Sequence, residues 1–215
     1  MKFHGFTDED FDVFNIAGLD ARMEGIISTI RPKFEAIASE IEPTLSALTG
    51  DEMFTHVAQH ARRTVNPPND TWVAFATNKR GYKMLPHFQV GLFESHLFVW
   101  FAVIYECPIK RSFAEQLLKN VNKWKKEIPN DYVWSIDHMK PDVKKHNELS
   151  KSDLESMFTR LKDVKKAELL CGLRIERDDP LLKDGALLIK KIEEAYKTVL
   201  PLYTVAKKAP FESVK

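Results

Sequence analysis

The sequence has little cysteine and no excess of charge of one sign. Its 215 residues include two cysteines, Cys107 and Cys171, which are far apart and lack the spacing of metal ligands. This excludes a zinc cluster built from cysteine alone and argues against a secreted disulfide scaffold, so a reducing cytoplasm fits best. The 32 basic residues nearly cancel the 31 acidic ones. Because such a chain has no overall attraction for polyanions, we predict no nucleic-acid partner.

Long apolar runs are missing as well. Four acidic side chains between positions 8 and 12 interrupt the segment where a signal peptide would need an apolar core. No later run reaches membrane-spanning length. We therefore predict a cytoplasmic protein without membrane association. Gly-rich phosphate loops and nucleophile elbows are absent too, which argues against nucleotide hydrolases and α/β-hydrolases.

What is present is the composition of an ordinary globular domain, with 44% hydrophobic and 29% charged residues. A chain of this length buries one good core. We find no internal repeat and no low-complexity linker. The sequence therefore predicts one domain over residues 1–206, followed by a frayed tail at residues 207–215.

Helical patterns lie mainly towards the two ends of the chain. Predicted helices begin after Thr7 and cover residues 19–48, 111–126, 152–161 and 180–200. Pro32 and Pro43 are expected to divide or kink the second of these, and Gly50 to end it. Ser152 followed by Glu155 is typical of a capping box. Asp179 and Pro180 are expected to open the last helix.

Strand patterns cluster in the middle. Predicted strands cover residues 72–77, 87–92, 97–105, 132–136 and 167–175, with a weaker indication at 51–59. The strict alternation of 87–92 places His87 and Gln89 on one face. Residues 97–105, LFVWFAVIY, do not alternate, as in a central strand covered on both faces. His87 and Gln89 should therefore lie on a face that also carries cover.

The connections are predicted from turn-forming residues. Asn78 to Gly81 is expected to form a hairpin connection with a positive φ at Gly81, and residues 144–150 a solvated surface loop. Because strands cluster between helical segments instead of alternating with them, the fold is predicted to be α+β. It is expected to be a single compact domain with a central, mainly antiparallel sheet flanked by helices.

Three segments resemble a known family. They are HARRTVNPPNDTWVAFATNKRGYKMLPHFQVGLF at 60–93, DHMKP at 137–141 and VKKAELL at 164–170. They are similar to the YktB family of uncharacterised bacterial proteins, and the resemblance covers nearly the whole chain. It implies a compact α+β domain in a cytoplasmic bacterial protein. It implies no activity, so no functional residue is carried over from it.

The first candidate site combines basic and aromatic residues around the predicted hairpin. A small anionic ligand is the expected partner, because arginine binds carboxylate or phosphate through two parallel hydrogen bonds. Trp72 and Tyr82 would supply apolar wall, and His87 with Gln89 would orient the ligand. The alternative is a set of solvated charges paired with Asp70 and Glu94. The predicted cations and the histidine are Arg62, Arg63, Lys79, Arg80, Lys83 and His87.

A metal site is the second candidate. His56 and His60 are four residues apart, and His87 or His138 could join them to hold zinc. The glutamate that follows the first histidine in the zincin motif is missing here. We therefore predict neither a metal nor another cofactor. Asp137 next to His138 is interpreted as a turn that carries an exposed histidine.

Two other functions remain open on the sequence. An enzyme could use His87 or His138 in the same pocket as general acid or base. An interaction module could instead present a sheet edge or a helix face to another protein without any pocket. Cys171, on the apolar face of its predicted strand, is interpreted as a core residue.

Overall fold

Seven strands form one antiparallel sheet in the computed structural model, which describes residues 3–211. The strands are ordered β1-β2-β3-β4-β7-β5-β6 across the sheet. Every neighbouring pair is antiparallel, so the predicted α+β domain with a central antiparallel sheet is confirmed. The strands are β1 Phe54–Val57, β2 Asp70–Ala76, β3 His87–Phe93, β4 His96–Val103, β5 Val133–Ser135, β6 Lys144–Lys145 and β7 Leu169–Glu176.

Helices precede, interrupt and follow these strands. Three short 3₁₀ turns cover Val13–Asn15, His146–Glu148 and Pro180–Lys183, and a π-helical segment covers Ile26–Ile30. The α-helices of the described residues are α1 Asp8–Asp12, α2 Leu19–Gly25, α3 Arg31–Thr49, α4 Lys110–Lys119, α5 Val121–Glu127, α6 Lys151–Asp163 and α7 Gly185–Lys208. None of them is long and apolar enough to cross a membrane.

Strand β4 is the centre of the molecule. It pairs with β3 on one side and β7 on the other, and all eight of its residues are buried. One face packs against helices: Phe88 of β3, beside β4, contacts Tyr196 and Tyr203 of α7 at ring-centroid distances of 4.9 and 5.0 Å. The prediction of a central strand covered on both faces is confirmed.

The second face of the sheet has its own, smaller core. None of its buried hydrophobic residues comes from an α-helix of the described part, because loops and sheet residues cover this face. His87 and Gln89 lie on it opposite Ala102 and Trp100 of β4 and are 0% and 3% exposed. Their predicted position on a covered face is therefore confirmed. The buried residues of this core are Phe93, Phe98, Trp100, Ala102, Ile104, Val133 and Leu170.

Proline acts differently at its two positions in the first long helical region. The predicted division is a π-helical segment that ends two residues before Pro32, and Pro32 stands in the first turn of α3. Pro43 lies inside α3 without ending it. Gly50 adopts φ 71° and its N–H donates to the Ser46 carbonyl, so the predicted helix end is confirmed.

Other helix boundaries differ from the prediction. The helix expected over 111–126 is two helices that break at Asn120. The capping box before α6 uses Ser150 and Asp153, two residues earlier than expected, with the Ser150 backbone N–H 2.8 Å from the Asp153 carboxylate. The last α-helix begins at Gly185, because Asp179 and Pro180 instead open a 3₁₀ turn.

Two connections also differ. Gly81 is not among the described residues with positive φ, and Asn78 to Gly81 belong to a longer connection over 77–86 instead of a tight hairpin. The predicted loop 144–150 contains β6 and the fully buried His146, whose Nδ1 accepts from Trp134 Nε1 at 2.9 Å. Helix α7 reaches Lys208, and residues 212–215 of the predicted frayed tail lie outside the described residues.

Gly172 in β7 allows the two central strands to carry a tryptophan. It lies opposite Trp100 of β4, and a methyl group added there would collide with the Val99 carbonyl oxygen. We expect Gly172→Ala to lower the free energy of unfolding by about 2 kcal/mol or more, because the atom that the new methyl group meets is a backbone oxygen that cannot rotate away. Urea unfolding midpoints measure this.

Gly81→Ala is the matched control. No heavy atom lies within 4 Å of a methyl group added at Gly81. Its unfolding free energy should stay within about 0.5 kcal/mol of the wild type. Equal midpoints for the two variants would contradict the tight packing of β4 against β7.

Candidate functional site

A cavity of about 1000 Å³ opens between the chain after β1, the β2–β3 connection and the turn after β5. Cavities of this size accept small organic ligands. Its walls come from residues 56–63, 78 and 80–85, together with Trp72, Glu106, His138 and Met139. Six of the eight residues predicted for ligand binding line it: Arg62, Arg63, Trp72, Arg80, Tyr82 and Lys83.

Two aromatic residues hold the walls together. The Trp72 Nε1–H donates to the Tyr82 hydroxyl at 2.9 Å and thereby ties strand β2 to the connection that follows it. The His60 ring meets Trp72 and the His56 ring meets Tyr82, both at a centroid distance of 5.5 Å. Burial raises the pKa of Tyr82 to about 12, so its hydroxyl is neutral near pH 7.

The cations of the cavity differ in what they contact. Within residues 3–211, the guanidinium groups of Arg62 and Arg80 make no hydrogen bond or ion pair. Arg63 Nη1 instead donates to the carbonyl oxygens of residues 66 and 67 at 3.2 and 3.4 Å, and Lys83 Nζ lies 3.8 Å from Glu106. Lys79 does not line the cavity, since its ammonium lies over the Phe54 ring at 5.1 Å.

The alternative of charges paired with Asp70 and Glu94 does not match the geometry. Glu94 binds Arg177 at 2.7 Å. Asp70 is only 2% exposed, and no ion pair joins it to a cation of the cavity. Burial raises the pKa of Asp70 to about 6. Arg62 and Arg80 are therefore left without a carboxylate partner inside the described chain.

His87 and Gln89 lie behind the cavity wall and do not line it. The His87 Nδ1–H donates to the Leu85 carbonyl at 2.7 Å, and its Nε2 accepts from Gln89 Nε2 at 2.9 Å. Its ring packs against Tyr82 at 4.9 Å. Burial lowers the pKa of His87 to about 4, so the ring is neutral near pH 7. With both nitrogens bound, His87 supports Tyr82 and has no atom left for a ligand.

The sequence did not indicate the pair formed by His138 and Glu168. The predicted turn at Asp137 is present, but the His138 side chain is only 15% exposed instead of standing in solvent. Its Nδ1 lies 2.6 Å from Glu168 Oε2, and its backbone N–H donates to the same oxygen at 3.0 Å. Glu168 directly precedes β7 and is 4% exposed. The sequence signal for its burial was its position two residues before the buried Leu170, on the same side of the strand.

Several residues in and around this cavity have shifted pKa values. Burial alone would lower the pKa of His138, but the hydrogen bond to Glu168 and the nearby charges of Glu168, Asp70 and Glu106 outweigh it and raise the pKa. Burial, together with Arg63 and Arg31, lowers the pKa of His60 to about 4. Groups with shifted pKa values in one cleft are typical of functional sites.

His60 also has an unusual backbone. It is the one non-glycine residue of the described chain with positive φ, at 51°. Such a conformation costs free energy and tends to occur at binding sites.

His56 and His60, the pair considered for zinc, bond to different groups of the protein. His56 Nε2 donates to the Asn78 carbonyl at 2.8 Å, whereas His60 Nε2 lies 3.2 Å from the Thr71 hydroxyl. Asp137, His138 and Glu168 bring one oxygen or nitrogen atom each within 4.8 Å of one another. These groups already bond within the protein, because His138 Nδ1 meets Glu168 and Asp137 accepts from the Met139 N–H at 3.0 Å. We assign no metal to either group.

Comparison with known proteins identifies the family. Residues 6–203 match the model of a domain of unknown function, DUF1054. The chain belongs to the DUF1054 family. A UPF0637 protein of Bacillus licheniformis is 51% identical over 203 residues, which cover 94% of this chain and 96% of the relative. UPF0637 proteins of Bacillus velezensis and Bacillus cereus are also 51% identical and cover 97% and 99% of their own length.

These relatives confirm the resemblance that the sequence motifs predicted. DUF1054 proteins such as these form an uncharacterised bacterial family, similar to YktB, and their names state no activity. The relatives therefore assign no activity to this DUF1054 chain.

The buried, neutral His87 generates a testable pH dependence. Its pKa is about 4 in the folded chain against about 6.5 when unfolded. The unfolded state therefore binds more protons between these values, and the contribution of His87 to stability, full above pH 6.5, is lost as the pH falls towards 4. His87→Gln should reduce the loss of unfolding free energy between about pH 6.5 and pH 4.5 by on the order of 2 kcal/mol.

Urea unfolding at the two pH values measures this difference. His4→Gln, at an exposed position, is the control and should keep the pH dependence of the wild type. An unchanged pH dependence in His87→Gln would show that His87 is not held neutral.

Proposed function

We propose that the cavity binds a small organic anion that carries a phosphate or carboxylate group. The observation that supports this most is the pair of exposed guanidinium groups of Arg62 and Arg80, which share one cavity and have no carboxylate partner among the described residues. Arginine forks match the oxygens of phosphate and carboxylate through two parallel bonds. Because the chain as a whole is nearly neutral, this local charge, and not the overall field, would attract the ligand.

The rest of the lining fits the organic part of such a ligand. Trp72 and Tyr82 supply aromatic surface, and Met84 and Met139 at the rim are 62% and 49% exposed. Ligand pockets combine apolar walls with a few polar groups in this way. An interaction module would need no concave basic cavity, so the cavity favours the ligand-binding proposal over that alternative. The cytoplasmic location expected from the two unpaired cysteines is part of the same proposal.

Charge reversal at Arg80 tests the proposal. The purified chain is screened by thermal shift against inorganic phosphate, phosphorylated metabolites, nucleotides and carboxylates. A ligand present at 100 times its Kd should add about 2.7 kcal/mol of stability, which corresponds to a rise in Tm of roughly 5 to 10 °C. Arg80→Glu should lose most of this rise while it keeps the unliganded Tm, because Arg80 is exposed and holds no structural bond through its guanidinium.

Lys79→Glu is the matched control. It makes the same change of charge one residue away, on a side chain that lies over Phe54 outside the cavity. It should keep the response to the ligand. Equal losses in both variants would indicate unspecific attraction of charge, and the absence of any stabilising compound in the panel would contradict the proposal.

A further inference from the structure

His138 stands between a buried carboxylate and the open cavity. Its Nδ1 lies 2.6 Å from Glu168 Oε2, and the residue lines the cavity wall. Nε2, on the opposite side of the ring, makes no hydrogen bond within residues 3–211. The imidazole is therefore held at one nitrogen by the protein and free to bond a ligand at the other.

Glu168 determines which nitrogen keeps its proton. The contacts of its carboxylate include three N–H donors, namely the His138 ring, the His138 backbone and, at 3.4 Å, the Tyr105 backbone. The proton on Nδ1 therefore stays between His138 and Glu168 in both charge states of the ring. Neutral His138 directs a lone pair of Nε2 at the ligand, whereas protonated His138 offers an N–H. Only the protonated ring can donate to an anion.

The charged groups around His138 favour its protonated form. Glu168 binds it directly, and the charges of Asp70 and Glu106 act in the same direction. Asp137, the preceding residue, has Lys140 3.7 Å from its carboxylate, and Glu106 has Lys83 3.8 Å away. His60 and His87 face the same region with pKa values of about 4, so they add no positive charge near pH 7.

We propose that His138 is a ligand-binding residue of the cavity, whose protonated Nε2 donates to an oxyanion, so that the site takes up a proton when it binds. This rests on the anion-binding function proposed above. Arg62 and Arg80 supply attraction that does not depend on pH, and His138 adds a further positive charge. Because each added charge acts more strongly on a dianion, the expected ligand class is a phosphate monoester or another doubly charged oxyanion.

Sulfate is the probe, because it remains a dianion over the whole working range and cannot itself supply the titration. Its Kd is measured by calorimetry from about pH 6 to about pH 9, at constant ionic strength maintained with chloride. Above the pKa of His138 in the free protein, affinity should fall by up to about tenfold per pH unit, the limit for one linked proton, and then level off at the affinity that the arginines alone sustain. Buffers of different ionisation enthalpy should report proton uptake on binding.

Three variants assign the proton. His138→Gln keeps a neutral donor, so it should bind sulfate more weakly and with no pH dependence. His56→Gln replaces another histidine that lines the cavity, one whose Nε2 already donates to the Asn78 carbonyl, and should keep the pH dependence of the wild type. Glu168→Gln should move the pH dependence to lower pH. If this buried change prevents folding, an NMR titration of His138 in the wild type replaces the variant. Sulfate should raise the midpoint of that titration.

The outcomes separate this inference from the proposed function. Sulfate affinity that is flat with pH in the wild type, or a pH dependence that persists in His138→Gln, would overturn the role of His138 while leaving anion binding intact. Failure of sulfate and of inorganic phosphate to bind at any pH would overturn the role of His138, and failure of every compound in the thermal-shift panel as well would reject both. A pH dependence of sulfate affinity that is lost in His138→Gln and kept in His56→Gln would support the inference.

Discussion

Burial of both faces of β4 is the constraint on which the rest of the structure depends. A strand whose eight residues are all inaccessible needs a cover on each side of its sheet. Helices provide one cover through a large aromatic and aliphatic core. Because no α-helix within residues 3–211 contributes to the core of the second face, loops must provide the other cover, and loops carry polar groups that require partners when they are buried. The polar network of the cavity arises from that requirement.

The network has two layers with different electrostatic roles. The inner layer contains His87 and Gln89, which are bonded to each other and neutral, and it supports Tyr82 from behind. The outer layer carries the exposed guanidinium groups of Arg62 and Arg80. Between them, Glu168 is the buried charge that needs compensation, and His138 is the neighbouring side chain able to compensate it by taking a proton. The same pair that satisfies the buried carboxylate thus presents a donor to the cavity.

Much of the fold could be predicted because its strongest signals are local. The apolar run of β4, the alternation of β3 and the glycine after α3 each specify one conformation without reference to distant residues. Boundaries were less predictable, since Ser150 with Asp153 and Ser152 with Glu155 fit a capping box equally well by residue type. The structure uses the first pair, so that α6 begins at Lys151.

The candidate site also has one part that depends on local sequence and one part that depends on distant contacts. Arg62, Arg80, Trp72 and Tyr82 could be grouped from the sequence, because strand β2 and the connections on both sides of it bring them together. The contact between His138 and Glu168 could not, since it depends on how the chain after β5 folds back over the second face. Lys79 and Arg80 show the limit of reasoning by residue type: adjacent cations lie on different sides of one connection, over Phe54 and in the cavity respectively.

The two ends of the sheet have a consequence for how copies of the protein meet one another. One edge is the four-residue β1, and the other is β6, which consists of the two exposed lysines Lys144 and Lys145. Short edges and outward lysines discourage strand pairing between molecules, because a second chain would have to bring its backbone against these exposed charged side chains. The sheet therefore ends in a form that keeps crowded molecules from joining edge to edge during and after synthesis.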